Sequence, residues 1–355
     1  MTESPLNRVN LRTRVQQALS DYLDQHRPRL AAVSADLTVF VDVLSDLVAG
    51  GKRLRPAFCY WGWRGAGGDD NDNIVAAATS LELLHACAIV HDDVMDASDT
   101  RRGLPSVHKR FAAFHESAGL RGDPTAFGVG SAILLGDLCL AWADEMLMAS
   151  GLPFDALLRA RAPYDDMRSE LMAGQYLDLL EQGRGEGSVE GAMRVLLFKS
   201  AKYTVERPLH IGARLAGSDD AVITAYSAYG IPLGEAFQLR DDVLGVFGDP
   251  AETGKPAGDD LREGKQTVLV AETLARASAT QREAVVSRLG DPKLDDNAVT
   301  ELRAIIEDTG ALAEVERRIS ALTARALDAL TAAPISAEAS DALGALATAA
   351  TSRRD

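Results

Sequence analysis

Cysteine is scarce in this sequence, and its placement excludes a metal site built from thiolates. The 355 residues contain three cysteines, Cys59, Cys87 and Cys139, which lie far apart in apolar surroundings. Zinc sites need cysteine or histidine ligands at short, recurring separations, and no such spacing occurs here. We therefore expect three buried free thiols, as is typical of proteins in a reducing compartment.

Basic charge is also scarce. The chain has 52 acidic residues against 37 basic ones, which gives a formal net charge of −15. A surface of this sign repels nucleic-acid phosphates, so the balance argues against a nucleic-acid partner. A small phosphorylated ligand is compatible with it, because a local basic pocket and bound metal can supply the positive charge.

Long apolar segments are missing as well. No uninterrupted apolar run reaches the roughly 18 residues that a membrane span needs. The first 14 residues are polar and lack the apolar core of a signal peptide. We expect a cytoplasmic protein with no transmembrane segment.

Alternating β-branched residues are almost absent, and no Pro/Gly/Ser-rich linker divides the chain. Apolar residues recur at helical spacing instead. The predicted helices run from a cap at Asn73 to Asp92, over 126–148, over 164–180 with Pro163 in the first turn, and from a cap at Ser218 to about residue 246. The prediction is an all-α protein with one domain covering residues 1–355.

An acidic cluster at the end of the first of these helices is the sharpest motif. Residues 91–96 are HDDVMD, so Asp92 and Asp96 lie four positions apart and project from one helix face. Like charges at this spacing destabilise a helix by about 0.2–0.5 kcal/mol unless cations neutralise them. Hard oxygen ligands favour Mg²⁺ shared with substrate phosphates. A solvated acidic helix end is the alternative for this motif taken alone.

A second acidic pair, Asp241 and Asp242, follows Gln238 on another apolar helix. One pair is weak support, but two acidic helix ends could face each other across a bundle core and hold a diphosphate between metal ions. Basic groups occur at 52–55 and 101–102, and arginine can grip phosphate oxygens with two parallel hydrogen bonds. Lys255 and Lys265 flank a Gly- and Asp-rich stretch that we interpret as a flexible lid.

Taken in order, these motifs resemble those of the trans-isoprenyl diphosphate synthase (polyprenyl synthetase) family over nearly the whole chain. They are GGKRLRP at 50–56, DDVMD at 92–96, RRG at 101–103, GQYLD at 174–178, KS at 199–200, FQLRDD at 237–242 and GKPAGDD at 254–260. Their common order makes the resemblance specific, and in character it is closest to bacterial geranylgeranyl diphosphate synthases.

The resemblance implies a fold, a reaction and an assembly. The fold would be a single large bundle of antiparallel helices around a deep central cavity. The reaction would be a Mg²⁺-dependent, head-to-tail condensation of isopentenyl diphosphate with dimethylallyl, geranyl or farnesyl diphosphate, to give a linear all-trans product. Several Mg²⁺ ions would bind together with the allylic diphosphate, and the protein would be a homodimer.

The resemblance also implies roles for single residues. Metal ions on the allylic diphosphate would be held by Asp92, Asp96 and Asp241, with Asp93 and Asp242 in support. The diphosphate of isopentenyl diphosphate would be held by Lys52, Arg55, His85 and Arg102. The allylic diphosphate would be held by Arg101, Lys199 and Lys255, with Gln238 nearby. Gly51 and Lys265 would also bind substrate.

Two departures from the family pattern stand out. The second acidic motif usually ends in a third aspartate, and Gly245 occupies that position here. The usual Lys-Thr pair is Lys199-Ser200, with Lys202 close behind. We favour Lys199 as the residue that reaches the phosphate.

Product length should follow the cavity below the first acidic cluster. Cys87 and Ala88 lie one helical turn before Asp92, where short-product relatives carry a bulky aromatic residue. Leu84 lies deeper, and Trp142 on another helix could form a lower floor. We favour geranylgeranyl diphosphate as the product, with farnesyl or longer polyprenyl diphosphates as alternatives.

Two other functions are weighed against this interpretation. A class I terpene cyclase would share the helical fold, but the nearest match to its second metal motif starts at Asp165 and has Ala173 where glutamate is required. An inactive subunit that modulates an active synthase would generally lose one acidic cluster. Both clusters persist here, and only Gly245 supports that alternative.

Overall fold

The computed structural model describes residues 9–351, except 186, 250–257 and 292. This part of the chain is almost wholly helical, which confirms the predicted all-α class. The helices are α1 Leu11–Val33, α2 Thr38–Val48, α3 Leu54–Gly65, α4 Asp72–Met95, α5 Val107–Ser117, α6 Pro124–Met148, α7 Phe154–Arg184, α8 Val189–Val195, α9 Arg207–Ala216, α10 Asp220–Phe247, α11 Asp259–Glu263, α12 Val268–Arg276, α13 Ala279–Val286, α14 Asp296–Asp308, α15 Ala311–Thr331 and α16 Ala337–Thr351.

A 3₁₀ turn, a π-helical segment and two short strands make up the other described elements. A 3₁₀ turn covers Ala35–Leu37, and a π-helical segment, Leu196–Glu206, joins α8 to α9 without a break. Strands β1 (Thr100–Arg101) and β2 (Leu104–Pro105) pair antiparallel across a tight turn. Arg102 and Gly103 form that turn with left-handed backbone angles, φ of 53° and 75°.

The chain divides into two compact units. The first comprises residues 1–160 and 212–217, and the second comprises residues 161–211 and 218–355. Helices α7 and α9 each contain one of the boundaries. That the whole chain forms one domain around one cavity stays a prediction.

Helix α4 forms the core of the first unit. It packs against α1, α3 and α6 and is mostly buried, so its apolar residues are not confined to one face. Its N-cap is Asn71, whose side chain accepts a hydrogen bond from the Ile74 N–H at 3.1 Å. The predicted cap at Asn73 is therefore wrong. The Asn73 amide instead donates to the Gly151 carbonyl at 2.9 Å, which ties the start of α4 to the end of α6.

Helices α4 and α6 are long and apolar enough to cross a membrane, judged by length and composition. A core helix that is mostly buried passes the same test, so this finding does not overturn the prediction of no transmembrane segment. Burial inside the fold explains the composition of α4, because 72% of its most apolar window is enclosed by protein. The corresponding value for α6 is 44%, since that helix leaves Phe127, Ile133 and Leu134 exposed.

Helix α10 has the central place in the second unit, where it packs against the π-helical segment and α15. Asp219 caps it by accepting hydrogen bonds from the Ala221 and Val222 N–H groups, so the predicted cap at Ser218 is one residue early. Pro163 also differs from the prediction, because it lies inside α7 and not in a first turn. A proline there costs one backbone hydrogen bond, which a helix of 31 residues can tolerate.

All three cysteines are buried and unpaired in disulfides, as predicted. Burial raises the pKa of the Cys59 and Cys87 thiols to about 12. The thiols are therefore protonated and act as small apolar groups.

Candidate functional site

The first acidic cluster lies where α4 ends in the first unit. Asp96 is the C-cap of the helix, and its N–H donates to the Asp92 carbonyl at 2.8 Å. Helical spacing places the Asp92 and Asp96 carboxylates on one face, whereas Asp93 points into the protein and is fully buried. Asp93 accepts a hydrogen bond from Arg101 Nε at 2.9 Å, and Arg101 Nη2 lies 3.6 Å from Asp92 Oδ2.

The donors in this cluster suit a hard cation. Asp92 and Asp96 offer carboxylate oxygens, and neither cysteine nor a histidine pair accompanies them. Among the described residues, no group of three or more His, Cys, Asp or Glu side chains is arranged to hold a metal ion. Two carboxylates would fill only part of a Mg²⁺ shell, so substrate oxygens and water would complete it.

Four arginines around His85 form a cationic group in the same unit as this cluster. His85 lies on α4 two turns before Asp92, and the charges of Arg55, Arg102, Arg101 and Arg53 all act on it. Burial, followed by these arginines, holds the pKa of His85 well below its usual range. The imidazole is therefore neutral and can donate one hydrogen bond to an anion without changing the local charge.

The phosphate-grip loop is the segment Gly50–Arg53 between α2 and α3, and it carries the predicted ligands Gly51 and Lys52. Lys52 is exposed, and Arg55 follows in the first turn of α3. Arg102 lies against this loop, where its Nη1 donates to the carbonyls of Gly50 at 2.9 Å and Leu47 at 3.1 Å. The structure therefore gathers the residues predicted for the isopentenyl diphosphate site into one unit.

The predicted chain-length residues also lie in the first unit. Leu84 and Cys87 are buried on α4, and Cys87 Sγ lies 3.7 Å from His91 Nδ1. Ala88 is partly exposed. Trp142 on α6 is buried, and its ring packs edge-on against His26, with the ring centres 4.9 Å apart. Their role as a floor stays a prediction.

The second acidic cluster lies on α10 in the second unit. Asp242 is buried, and its Oδ1 accepts a hydrogen bond from Gln238 Nε2 at 2.8 Å. Burial raises the pKa of Asp242 to about 8, and the negative charges of Asp260 and Asp241 add to the rise. The hydrogen bond from Gln238 and the charge of Lys265 oppose it. A cation at this cluster would relieve the repulsion, so these carboxylates also fit a metal site.

The space beside Gly245 is taken by the side chain of Asp260. A Cβ atom built there would lie 1.8 Å from Asp260 Oδ2 and 2.5 Å from Asp260 Cγ. The carboxylate of Asp260, from the start of α11, thus occupies the volume that the family's third aspartate would need. Lys265 Nζ lies 3.5 Å from Asp260 Oδ1. The sequence placed Asp260 in the motif at 254–260 but could not show that it approaches Gly245, because the two residues belong to different helices.

Lys199 and Lys202 both lie in the π-helical segment but have different partners. Lys199 Nζ donates to Asp178 Oδ2 at 2.6 Å, which joins two motifs that are distant in sequence. Lys202 pairs with Glu170, which also accepts two hydrogen bonds from Arg207 at 2.7 Å. Although burial raises the pKa of Glu170, the bonds from Arg207 and Lys202 hold it below the usual range. Lys255 lies outside the described residues.

The chain is similar in sequence and in fold to polyprenyl synthetases. Residues 38–307 match the family model described as polyprenyl synthetase. A crystal structure of geranylgeranyl pyrophosphate synthase from Corynebacterium glutamicum, complexed with isoprenyl diphosphate and magnesium, has a TM-score of 0.93 and 44% identity, covering 96% of this chain and 97% of that one. The geranylfarnesyl diphosphate synthase of Aeropyrum pernix is 33% identical over 303 residues, 84% of this chain and 89% of its own. The (2E,6E)-farnesyl diphosphate synthase of Mycobacterium bovis is 32% identical over 278 residues, 76% of this chain and 72% of its own.

Proposed function

Since this chain belongs to the polyprenyl synthetase family of prenyltransferases, we propose that it joins isopentenyl diphosphate head-to-tail to an allylic diphosphate and ends at geranylgeranyl diphosphate. The observation that carries the proposal is a juxtaposition within one compact unit. The Asp92 and Asp96 carboxylates end the same helix that holds a neutral His85 among four arginines. The proposed reaction needs carboxylates that bind metal ions and cationic side chains that bind the second diphosphate.

In the proposed reaction the allylic carbon–oxygen bond breaks and diphosphate leaves. The double bond of isopentenyl diphosphate attacks the allylic cation and forms the new carbon–carbon bond. One proton is then lost, and we assign it to the released diphosphate. The work of the protein is to position two substrates, stabilise the departing charge and keep water from the cation.

We assign magnesium to Asp92, Asp96 and Asp241, because members of the family depend on it and these side chains are hard oxygen donors. When bound, magnesium neutralises the charge of the leaving diphosphate. Asp93 and Asp242 are buried and hydrogen bonded to Arg101 and Gln238. They support the site by fixing the side chains around it.

The substrates are assigned to separate sets of residues. Isopentenyl diphosphate would bind Gly51, Lys52, Arg55, His85 and Arg102. The allylic diphosphate would bind Arg101, Lys199, Gln238, Lys255 and Lys265. Arginine suits these positions because its planar fork matches two phosphate oxygens at once.

A product assay tests the proposal directly. Purified protein is incubated with Mg²⁺, labelled isopentenyl diphosphate and, separately, dimethylallyl, geranyl or farnesyl diphosphate, and the products are resolved by length. We expect linear geranylgeranyl diphosphate from each primer. A cyclic hydrocarbon would indicate a terpene cyclase, and no incorporation with any primer would indicate an inactive subunit.

Product length gives a sharper test at Cys87. We expect Cys87→Phe to shift the end product from geranylgeranyl to farnesyl diphosphate, because a ring at this buried position would fill the space one turn below Asp92. Overpacking of this kind costs about 1–3 kcal/mol of stability, so the melting temperature should fall modestly. Cys87→Val is the matched control and should keep the original product. An unchanged product ratio for Cys87→Phe would place the floor elsewhere.

The two lysines of the π-helical segment should behave differently. We expect Lys199→Met to raise the KM for the allylic primer about tenfold, since it removes one charge from the phosphate site beside Asp178. Lys202→Met should mainly lower the melting temperature, because it leaves Glu170 with one cationic partner fewer. Steady-state kinetics with each substrate varied in turn, and thermal denaturation, separate the two effects. The reverse pattern would assign the phosphate to Lys202.

We propose a homodimer in the cytoplasm. Helix α6 leaves Phe127, Ile133 and Leu134 38%, 44% and 60% exposed, an apolar face that a second copy of the chain would cover. Sedimentation equilibrium tests the assembly. A monomer at micromolar concentration would contradict it.

A further inference from the structure

Arg53 is the one residue of the phosphate-grip loop with a buried side chain. Its Nη1 donates to Glu82 Oε2 at 2.5 Å and its Nη2 donates to Gln16 Oε1 at 2.5 Å. The same Nη2 also donates to the carbonyl of Val48. Arg53 is 4% exposed and Glu82 is 4% exposed, so this pair is enclosed by protein. One guanidinium therefore joins α1, the end of α2 and the middle of α4.

This arrangement is costly for the chain. Arg53 has φ of +53°, a left-handed conformation that costs a residue with a side chain about 1–2 kcal/mol. A buried ion pair adds a desolvation penalty that its own attraction often fails to repay. A loop that only connected α2 to α3 would need neither feature. Both costs are incurred between Lys52 and Arg55, two residues predicted to hold the same diphosphate.

Two other arginines hold the same backbone from outside. Arg102 donates to the carbonyls of Leu47 and Gly50, and Arg12 Nη2 donates to the carbonyl of Gly51 at 3.1 Å. Together with Arg53, they bind carbonyl groups at four positions between residues 47 and 51. The path of the loop is thus set by side chains from several elements and not by the loop's own sequence.

Glu82 links this anchor to the predicted site on α4. It lies one helical turn before His85, so the anchor and a predicted phosphate ligand share a helix face. Burial lowers the pKa of the Arg102 guanidinium, and the charge of Glu82 opposes that fall. Glu82 is therefore an anion close to residues that are meant to bind an anion. If the charge of Glu82 acted only by offsetting the positive charge of the arginines, removing that charge would strengthen diphosphate binding.

We infer that Arg53 and Glu82 are a positioning pair, which holds the phosphate-grip loop so that Lys52 and Arg55 face the diphosphate of isopentenyl diphosphate. The inference rests on the proposed function. Neither residue touches substrate. Their effect is on the geometry of the residues that do, and it is confined to one of the two substrates.

The test uses Arg53→Lys and Glu82→Gln in the full chain. Lysine keeps the charge but cannot make the three-way contact, and glutamine keeps the shape and one acceptor but loses the charge. We expect each variant to raise the KM for isopentenyl diphosphate about tenfold, because loss of a supporting residue misplaces the side chains that bind substrate. The KM for the allylic primer should stay within about twofold of wild type. Calorimetric titration with isopentenyl diphosphate alone should show the same tenfold rise in Kd.

Glu272→Gln is the matched control, because Glu272 is equally buried and pairs with Arg318 at 2.6 Å in the second unit. It should lower the melting temperature and leave both KM values unchanged. The inference is wrong if Glu82→Gln lowers the KM for isopentenyl diphosphate, leaves it unchanged, or raises both KM values together. Wild-type protein that incorporates no isopentenyl diphosphate would instead overturn the proposed function.

Discussion

Asparagine in place of Asp92 is expected to lower kcat about a thousandfold, the largest effect that we anticipate for any single substitution. The change preserves the shape of the side chain and removes one charge, so the fold should persist. Without that charge the helix end would hold a cation weakly, and the diphosphate would leave without its counter-charge. Single-turnover kinetics at saturating magnesium would measure the loss in the chemical step.

Asp99→Asn is the control for this experiment. Asp99 lies three residues beyond the cluster, its side chain is 76% exposed, and it pairs with Lys109 at 2.9 Å. Its replacement should leave kcat within about twofold, because an exposed ion pair contributes little. Asp93→Asn should lie between the two, since it loosens Arg101 without removing a proposed metal ligand. Equal rates for Asp92→Asn and Asp99→Asn would exclude the metal role.

Aspartate at position 245 restores the family's usual motif, yet we expect Gly245→Asp to lower kcat at least a hundredfold. The new side chain would collide with the Asp260 carboxylate, 1.8 Å from the position of its Cβ, and would add a charge beside Asp241 and Asp242. Relief requires the Asp260 side chain to turn aside from Asp241 and Asp242, and a displacement of about 1 Å near reacting groups can cost a hundredfold in rate. Steady-state kinetics and the melting temperature would both be recorded.

A compensating change makes this prediction specific. The double variant Gly245→Asp/Asp260→Gly moves the carboxylate from position 260 to position 245 and removes the side chain that it would collide with. It should recover much of the lost activity. Gly245→Ala is the steric control; it adds a methyl group without charge and should be less harmful than aspartate. If Gly245→Asp alone is as active as wild type, Asp260 does not occupy the third position.

Local patterns in the sequence were reliable where the structure depends on neighbours along the chain. Asp92 and Asp96 share a face because helical geometry places residues four apart together, and this needs no tertiary information. Helix starts were predicted less well. Asn71 and Asn73 are equally good caps in isolation, but Asn71 is the cap, and Asn73 instead binds the Gly151 carbonyl in the loop after α6.

Contacts between distant residues could not be predicted from one sequence. Arg53 and Glu82 are 29 positions apart, and nothing in the motif distinguishes Arg53 from the cations on either side of it. The same holds for Gly245 and Asp260. A missing aspartate is visible in the sequence, but the carboxylate that fills its place comes from another helix. Packing decides these pairings, and helical periodicity carries no information about them.

The π-helical segment fixes the rotational register of the lysines that it carries. Each residue of an ordinary helix turns the chain by about 100°, because 3.6 residues complete a turn. The π-helical turns of Leu196–Glu206 contain more residues than α-helical turns do. Deletion of one residue would therefore let the segment tighten into a regular α-helix. Such a deletion would preserve the helical content while swinging Lys199 away from Asp178 or Lys202 away from Glu170. In this stretch a natural lineage could therefore lose activity through the loss of a single codon while its fold survived.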